Sequence, residues 1–319
     1  MGRPMLLDCD PGIDDAVALL IALAEPEVDL VGVTTVGGNV GVAQTTRNAL
    51  GVLTLAGRAD IPVAAGADHP LVRAPNRAGR GHGGDGMGGV PLPQPAADPV
   101  QMHAVEFLAA AVRRSAAPVT LVATGPLTNV ALFYAIHPAL AARLGGLVWM
   151  GGAANGGPAE AADFNARFDP EAAYRVLTEP GLPVAVPTAT VGLDVTLPAA
   201  LDLDQLGRMR ATGPVGSTMA DALHTCLARY RGLLGRDAVP VHDAVAVLAA
   251  ARPGLVRTLP ASFEVDTGGG PNRGSTLTDL RNPADSPPTV HIGLDVDVPA
   301  VTEAILAGVA AADGSAVDR

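Results

Sequence analysis

Apolar positions along this chain come in short continuous runs separated by longer segments of good helix formers. Residues 6–7, 28–36, 61–65, 119–124, 147–150 and 183–187 read as strands. Residues 16–24, 42–56, 102–114 and 127–144 read as the helices between them, and Asp169-Pro170-Glu171 opens another with Asp at the cap and Pro in the first turn. Strands that alternate with helices predict βαβ units and a mostly parallel sheet. Strands that are apolar throughout, rather than alternately, predict a sheet covered on both faces. The pattern changes after about residue 201. A largely helical region reaches residue 252, strand-like pieces follow at 262–265, 275–279 and 289–294, and a last helix is expected over 299–311. The fold class expected is therefore α/β: an open, mostly parallel, doubly wound sheet with appended C-terminal helices and a small strand region. No linker or repeat interrupts residues 1–319, so a single domain is expected.

Two Gly-rich stretches stand outside this alternation. One covers residues 67–98 and contains His82; the other runs from residue 151 to Phe168. Loops this long inside a compact domain are usually functional or mobile.

Composition narrows the function. The chain is 48% hydrophobic and 17% charged, enough to bury a core, and it carries a formal charge of −11 with no Lys. An acidic chain without a basic run argues against nucleic acid or an anionic membrane as partner. Two cysteines, Cys9 and Cys226, give no disulfide framework, and no apolar stretch resembles a signal peptide or membrane span. A cytoplasmic location is the expectation.

The chemistry is concentrated at strand ends, where open parallel sheets bind ligands. Asp8-Cys9-Asp10-Pro11-Gly12-Ile13-Asp14-Asp15 places four carboxylates at the end of the first strand and the start of the first helix. A helix N-terminus favours one or two anions but does not offset four. Carboxylates this close call for a cation among them, and an all-oxygen ligand set points to Ca²⁺ or Mg²⁺. The plain alternative is that Asp14 and Asp15 cap the helix and Asp8 pairs with an Arg, and the density of carboxylates here argues against it. Thr34-Thr35-Val36-Gly37-Gly38-Asn39, Thr124-Gly125-Pro126-Leu127-Thr128-Asn129 and His242-Asp243-Ala244 mark three further element ends. Singly, each reads equally well as a turn, a cap or a structural histidine.

Together these segments resemble the calcium-dependent nucleoside hydrolase family of the inosine-uridine-preferring type. The resemblance rests on residues 8–16, Asn39, His82-Gly83, residues 124–129, Met150-Gly151-Gly152, Phe164-Asn165, residues 192–196 and His242-Asp243-Ala244, in the family's order. It implies hydrolysis of the N-glycosidic bond of ribonucleosides to ribose and free base, with one Ca²⁺ per subunit and a homodimer or homotetramer. By the same resemblance Asp10 is the general base for the attacking water and a metal ligand. Asp15, Asp243 and the Thr124 carbonyl complete the metal set. Asp14, Asn39 and Asn165 hold ribose hydroxyls, His82 and Tyr230 flank the base, and His242 is the acid on the leaving-base side. Asp163-Phe164-Asn165 stands where the family usually has Glu-Phe-Asn, and Gly157 where it usually has Asn. Both positions belong to the ribose 5′-hydroxyl end, and Asn155 is a possible substitute. Hydrolysis of 5′-modified or other ribosides therefore stays open, as does a catalytically weak riboside-binding homologue. A phosphatase with the Asp-x-Asp spacing of the haloacid dehalogenases is disfavoured, because Pro11-Gly12 replaces the usual Gly-Thr and there is no Lys.

Overall fold

A computed structural model describes residues 2–75, 81–154, 163–178, 186–280 and 290–317. The first half is the predicted alternation. Strand β1 (Arg3–Cys9) leads into helix α1 (Ile13–Ala24), then β2 (Val28–Thr35), α2 (Val42–Leu55) and β3 (Val63–Ala65). After the Gly/Pro-rich stretch come α3 (Ala104–Arg114), β4 (Thr120–Ala123), α4 (Thr128–Ile136), α5 (Pro138–Ala141) and β5 (Gly146–Met150). Then follow α6 (Phe164–Phe168), α7 (Pro170–Leu177), β6 (Thr188–Val191) and α8 (Leu193–Thr196). The second half runs β7 (Ala200–Asp202), α9 (Leu203–Arg210), α10 (Pro214–Thr225), α11 (Leu227–Leu234), β8 (Ala238–Pro240) and α12 (His242–Ala251). It closes with β9 (Val256–Val265), β10 (Thr276–Asp279), β11 (Val290–Val296) and α13 (Val298–Val317).

Nine strands form one sheet in the order β10-β9-β11-β6-β5-β4-β1-β2-β3. The run from β11 to β3 is parallel, and β9 and β10 add antiparallel at one edge. The late strand pieces thus extend the main sheet. β7 and β8 form a separate two-stranded antiparallel pair. One apolar cluster joins α1, α2, α10, α12 and α13 to the sheet, and a second joins α3, α4 and α7 to it. That is the doubly wound arrangement, with both sheet faces covered.

Three local readings shift. The helix expected over 127–144 divides at His137, because the following Pro138 disfavours a helical residue before it. Asp163 caps a short helix inside the stretch read as loop, its Oδ1 accepting from the Ala166 amide at 3.0 Å. The strand expected over 183–187 lies partly outside the described residues, and the observed strand begins at Thr188.

The topology fixes the site. β2 and β3 lie on one side of β1, and β4 lies on the other. The crevice at this reversal is where doubly wound sheets take their ligands. Asp10, Asn39 and Thr124 follow β1, β2 and β4 at the same end of the sheet. Among the described residues no helix is long and apolar enough to cross a membrane.

Candidate active site

The register of β1 brings the first carboxylates into place. Asp8 pairs with Thr34 on one neighbour and Ala123 on the other. Its Oδ1 accepts from Thr34 Oγ1 at 2.6 Å and Asn129 Nδ2 at 2.8 Å, while Oδ2 is buried with no hydrogen-bond partner among the described residues. Burial pushes this carboxyl up to about 7 despite the two hydrogen bonds.

Asp10 follows on the turn into α1. Its Oδ2 accepts from the Asn39 amide at 2.7 Å. Gly38 and Gly125 wall the carboxylate: a Cβ on Gly38 would stand 2.1 Å from Oδ2, and one on Gly125 would stand 2.6 Å from Oδ1. Only residues without a side chain allow this approach. Asp15 is the N3 residue of α1 and caps the helix, with Oδ2 accepting from the Gly12 amide at 2.9 Å. Its Oδ1 accepts from Thr124 Oγ1 at 2.8 Å.

Asp243 arrives from far along the chain, in the first turn of α12. Asp14, Asp15 and Asp243 each offer an oxygen within 4.8 Å of the others, a group that could hold a metal ion. The tightest set thus contains Asp14, expected on the ribose. Asp10 stands beside it rather than in it. All four are buried. Desolvation is the largest cause raising each pKa, and charge repulsion from Asp15 raises Asp10 further, as Asp14 does for Asp15 and Asp243. Asp14 is pushed up to about 6. The donors gathered here are carboxylate, carbonyl and hydroxyl oxygens, a set that fits a hard divalent cation. With such a charge at the centre all four can ionise together.

Two asparagines hydrogen-bond into the same group of residues. Asn39 Nδ2 donates to the Asp10 carbonyl at 3.2 Å and to Asp15 Oδ2 at 3.3 Å. Asn165 Nδ2 donates to the Thr124 and Met150 carbonyls at 2.6 and 3.0 Å. With both amide hydrogens used, each side chain offers its Oδ1 to a hydroxyl donor. The Thr124 carbonyl keeps a second lone pair for a further partner.

The remaining expected residues lie around this core. His82 Nδ1 accepts from the Ile13 amide at 3.1 Å, so the proton of the neutral ring sits on Nε2, 3.7 Å from Asp14 Oδ1. Burial lowers His82 to about 4. His242, in the first turn of α12, is lowered to about 3 by burial and by the charges of His82 and Arg229. Its Nε2 is 3.1 Å from Tyr230 Oη and its Nδ1 is 2.7 Å from Thr196 Oγ1. Asp163 and Phe164 lie at the start of α6, where the Asp163 carboxyl caps the helix and is pushed up to about 6 by burial. Asn155 and Gly157 fall outside the described residues.

The sequence reading gave no role to four side chains that hold the site. Asn129 grips Asp8. Asn48 donates to the backbone carbonyls of Pro11 and Asp85 at 2.9 Å each and ties the His82 loop to the start of α1. Arg229 brings positive charge near Asp14 and His82. Thr196 contacts His242. A polar residue at mid-helix, such as Asn48, was the available signal.

Comparison with known proteins decides what this arrangement belongs to. A family model described as inosine-uridine preferring nucleoside hydrolase matches residues 5–303. The chain belongs to the nucleoside hydrolase family. Among its relatives is the pyrimidine-specific ribonucleoside hydrolase RihA of Shigella boydii serotype 4 (strain Sb227). The two are 41% identical over 303 residues, which cover 93% of this chain and 95% of the relative. The purine-preferring ribonucleoside hydrolase from Gardnerella vaginalis superposes with a TM-score of 0.89 at 30% identity, covering 98% of this chain and 99% of that one. A plant nucleoside hydrolase superposes with a TM-score of 0.86 at 30% identity, covering 97% and 99%. This nucleoside hydrolase is thus similar to enzymes named for opposite base preferences.

Proposed function

We propose that the protein hydrolyses the N-glycosidic bond of ribonucleosides in a Ca²⁺-dependent reaction, with Asp10 as general base. The observation that carries this reading is the convergence of Asp14, Asp15 and Asp243 at one strand end with Asp10 joined to Asp15, and Asn39 and Asn165 hydrogen-bonded into the same group. Asp10, Asp15, Asp243 and the Thr124 carbonyl would hold one Ca²⁺, with Asp14 within reach of both ion and sugar. When bound, the ion supplies charge that orients two vicinal hydroxyls and lowers the pKa of water.

The chain's own groups do the rest. Asp14, Asn39 and Asn165 accept from ribose hydroxyls and fix the sugar. Asp10, held by the Asn39 amide, takes a proton from the attacking water. Cleavage passes through an oxocarbenium-like sugar, and the surrounding carboxylates favour that positive charge. The bond electrons leave with the base, which His242 and Tyr230 face as hydrogen-bond donors, with His82 on the other side. The base regains its proton after departure. Vicinal hydroxyl recognition selects ribose over deoxyribose.

A homodimer or homotetramer in the cytoplasm belongs to the same reading, and light scattering on the purified chain tests the assembly. The decisive assay is a panel of purine and pyrimidine ribonucleosides scored for free ribose, with added Ca²⁺ and with chelator. Release that depends on Ca²⁺ supports the reading. Binding without release would make the chain a riboside-binding homologue, and release that survives chelation would remove the ion from the account.

A further inference from the structure

His242 has two ring nitrogens, and the reaction depends on which of them carries hydrogen. Nε2 faces Tyr230 at 3.1 Å. Nδ1 faces Thr196 Oγ1 at 2.7 Å. Thr196 ends the short helix α8, is fully buried, and reaches the imidazole across 46 residues of sequence.

A threonine hydroxyl has one hydrogen to donate. Among the described residues, its one hydrogen-bond partner is His242 Nδ1. If Nδ1 carried hydrogen, it would donate to Oγ1, and the hydroxyl hydrogen would be buried with no acceptor. An unmatched buried donor is costly. If Nδ1 is bare, it accepts the hydroxyl hydrogen and both groups are satisfied. The ring then carries its hydrogen on Nε2, the atom on the Tyr230 side. Tyr230 Oη accepts there and keeps its own hydrogen for a further partner.

We infer that Thr196 is a positioning residue that fixes His242 as the Nε2–H tautomer. The histidine therefore meets the departing base, directly or through Tyr230, with a donor and never with a bare nitrogen. The inference rests on the leaving-group role proposed for His242, but the tautomer itself follows from the hydrogen-bond accounting alone. It also explains why His242 needs a partner from a distant segment. An imidazole free to turn or exchange tautomers would present a lone pair to the electron pair leaving with the base.

The variants are Thr196→Val, which keeps the shape and removes the hydroxyl, and Thr196→Ser, which keeps the hydroxyl. The first readout is long-range ¹H–¹⁵N NMR of histidine-labelled protein in Ca²⁺ buffer, with His242 assigned by its loss in His242→Ala. The wild type and Thr196→Ser show the Nε2–H pattern, and Thr196→Val shows a changed or mixed one. The second readout is kcat on uridine and inosine against kcat on nitrophenyl riboside, whose leaving group needs no help. Thr196→Val loses roughly tenfold on the nucleosides, below the 10²–10⁴-fold of a full acid–base contribution, and stays within about twofold on the nitrophenyl riboside. Thr196→Ser recovers the nucleoside rate. A wild-type ring with hydrogen on Nδ1 overturns the inference, as does an equal loss on both substrates. If the wild type releases no base from any nucleoside, the proposed function fails while the NMR arm still decides the tautomer.

Discussion

Asp163 shows how one methylene alters a residue's duties. Its carboxyl caps α6 through the Ala166 amide, and burial in that role raises its pKa to about 6. The resemblance places the ribose 5′-hydroxyl near this position, where relatives carry the longer Glu. A carboxylate committed to a helix cap has less reach toward a hydroxyl, and a contact lengthened by more than about 0.5 Å ceases to be a direct hydrogen bond. The enzyme should therefore hydrolyse a 5′-deoxynucleoside with kcat/KM within about tenfold of the parent nucleoside. Lost transition-state binding below about 1.4 kcal/mol corresponds to that ratio. A drop of roughly 10²-fold or more would show the 5′ contact intact.

At the scale of elements, the site depends on strand-end turns that admit no side chain. A Cβ at Gly38 would meet Asp10 Oδ2 at 2.1 Å, while the strand pairing of β2 ends at Thr35 and is not involved. Gly38→Ala should thus leave far-ultraviolet circular dichroism unchanged and lower kcat/KM by about 10²-fold, the cost of moving a reacting group by an ångström. Near-wild-type activity would mean that the Asp10 position is not critical. These turns were legible in the sequence because Asp10-Pro11-Gly12, Gly37-Gly38-Asn39 and Thr124-Gly125-Pro126 each follow an apolar run. The βαβ half was legible for the same reason, since its strands and helices differ in length and branching. Other elements left no local signal. β7 and β8 are three residues each, too short for a period, and were absorbed into a region read as helical. The antiparallel edge of β9 and β10 depends on pairing partners distant in sequence. The convergence of α12 on α1 was visible only through the family resemblance, because nothing local to His242-Asp243 indicates which strand end it meets.

For the whole molecule, the buried carboxylates couple folding to protons and, on the proposed function, to Ca²⁺. Asp8 is raised to about 7 and Asp14 to about 6, and Asp10 and Asp243 are raised well above their ordinary value. A carboxyl raised in the folded state binds more protons folded than unfolded. Its contribution to stability is therefore present at low pH and lost as pH rises through the folded pKa. His82 and His242, lowered to about 4 and 3, work the other way and lose stability as pH falls below about 6.5. The metal-free chain should thus gain Tm as pH drops from about 8 to about 6.5 and go on gaining below, where the two histidines offset only part of the contribution of the four carboxyls. The proposed Ca²⁺ would bind the ionised carboxylates, so its stabilising effect should be larger at about pH 8 than at about pH 6.5. Thermal melts with Ca²⁺ and with chelator at both pH values check this, and a Ca²⁺ effect that is absent or larger at the lower pH would contradict it.

The central claim is that Asp10 is the base that activates water. Asn at this position keeps the volume between Gly38 and Gly125, and its oxygen can still accept from the Asn39 amide. What it removes is the ability to take a proton. The most direct measurement is kcat of Asp10→Asn on the best ribonucleoside at saturating Ca²⁺, beside circular dichroism to confirm the fold. The account predicts a fall of about 10²–10⁴-fold. A folded Asp10→Asn protein within a few-fold of wild type would contradict it.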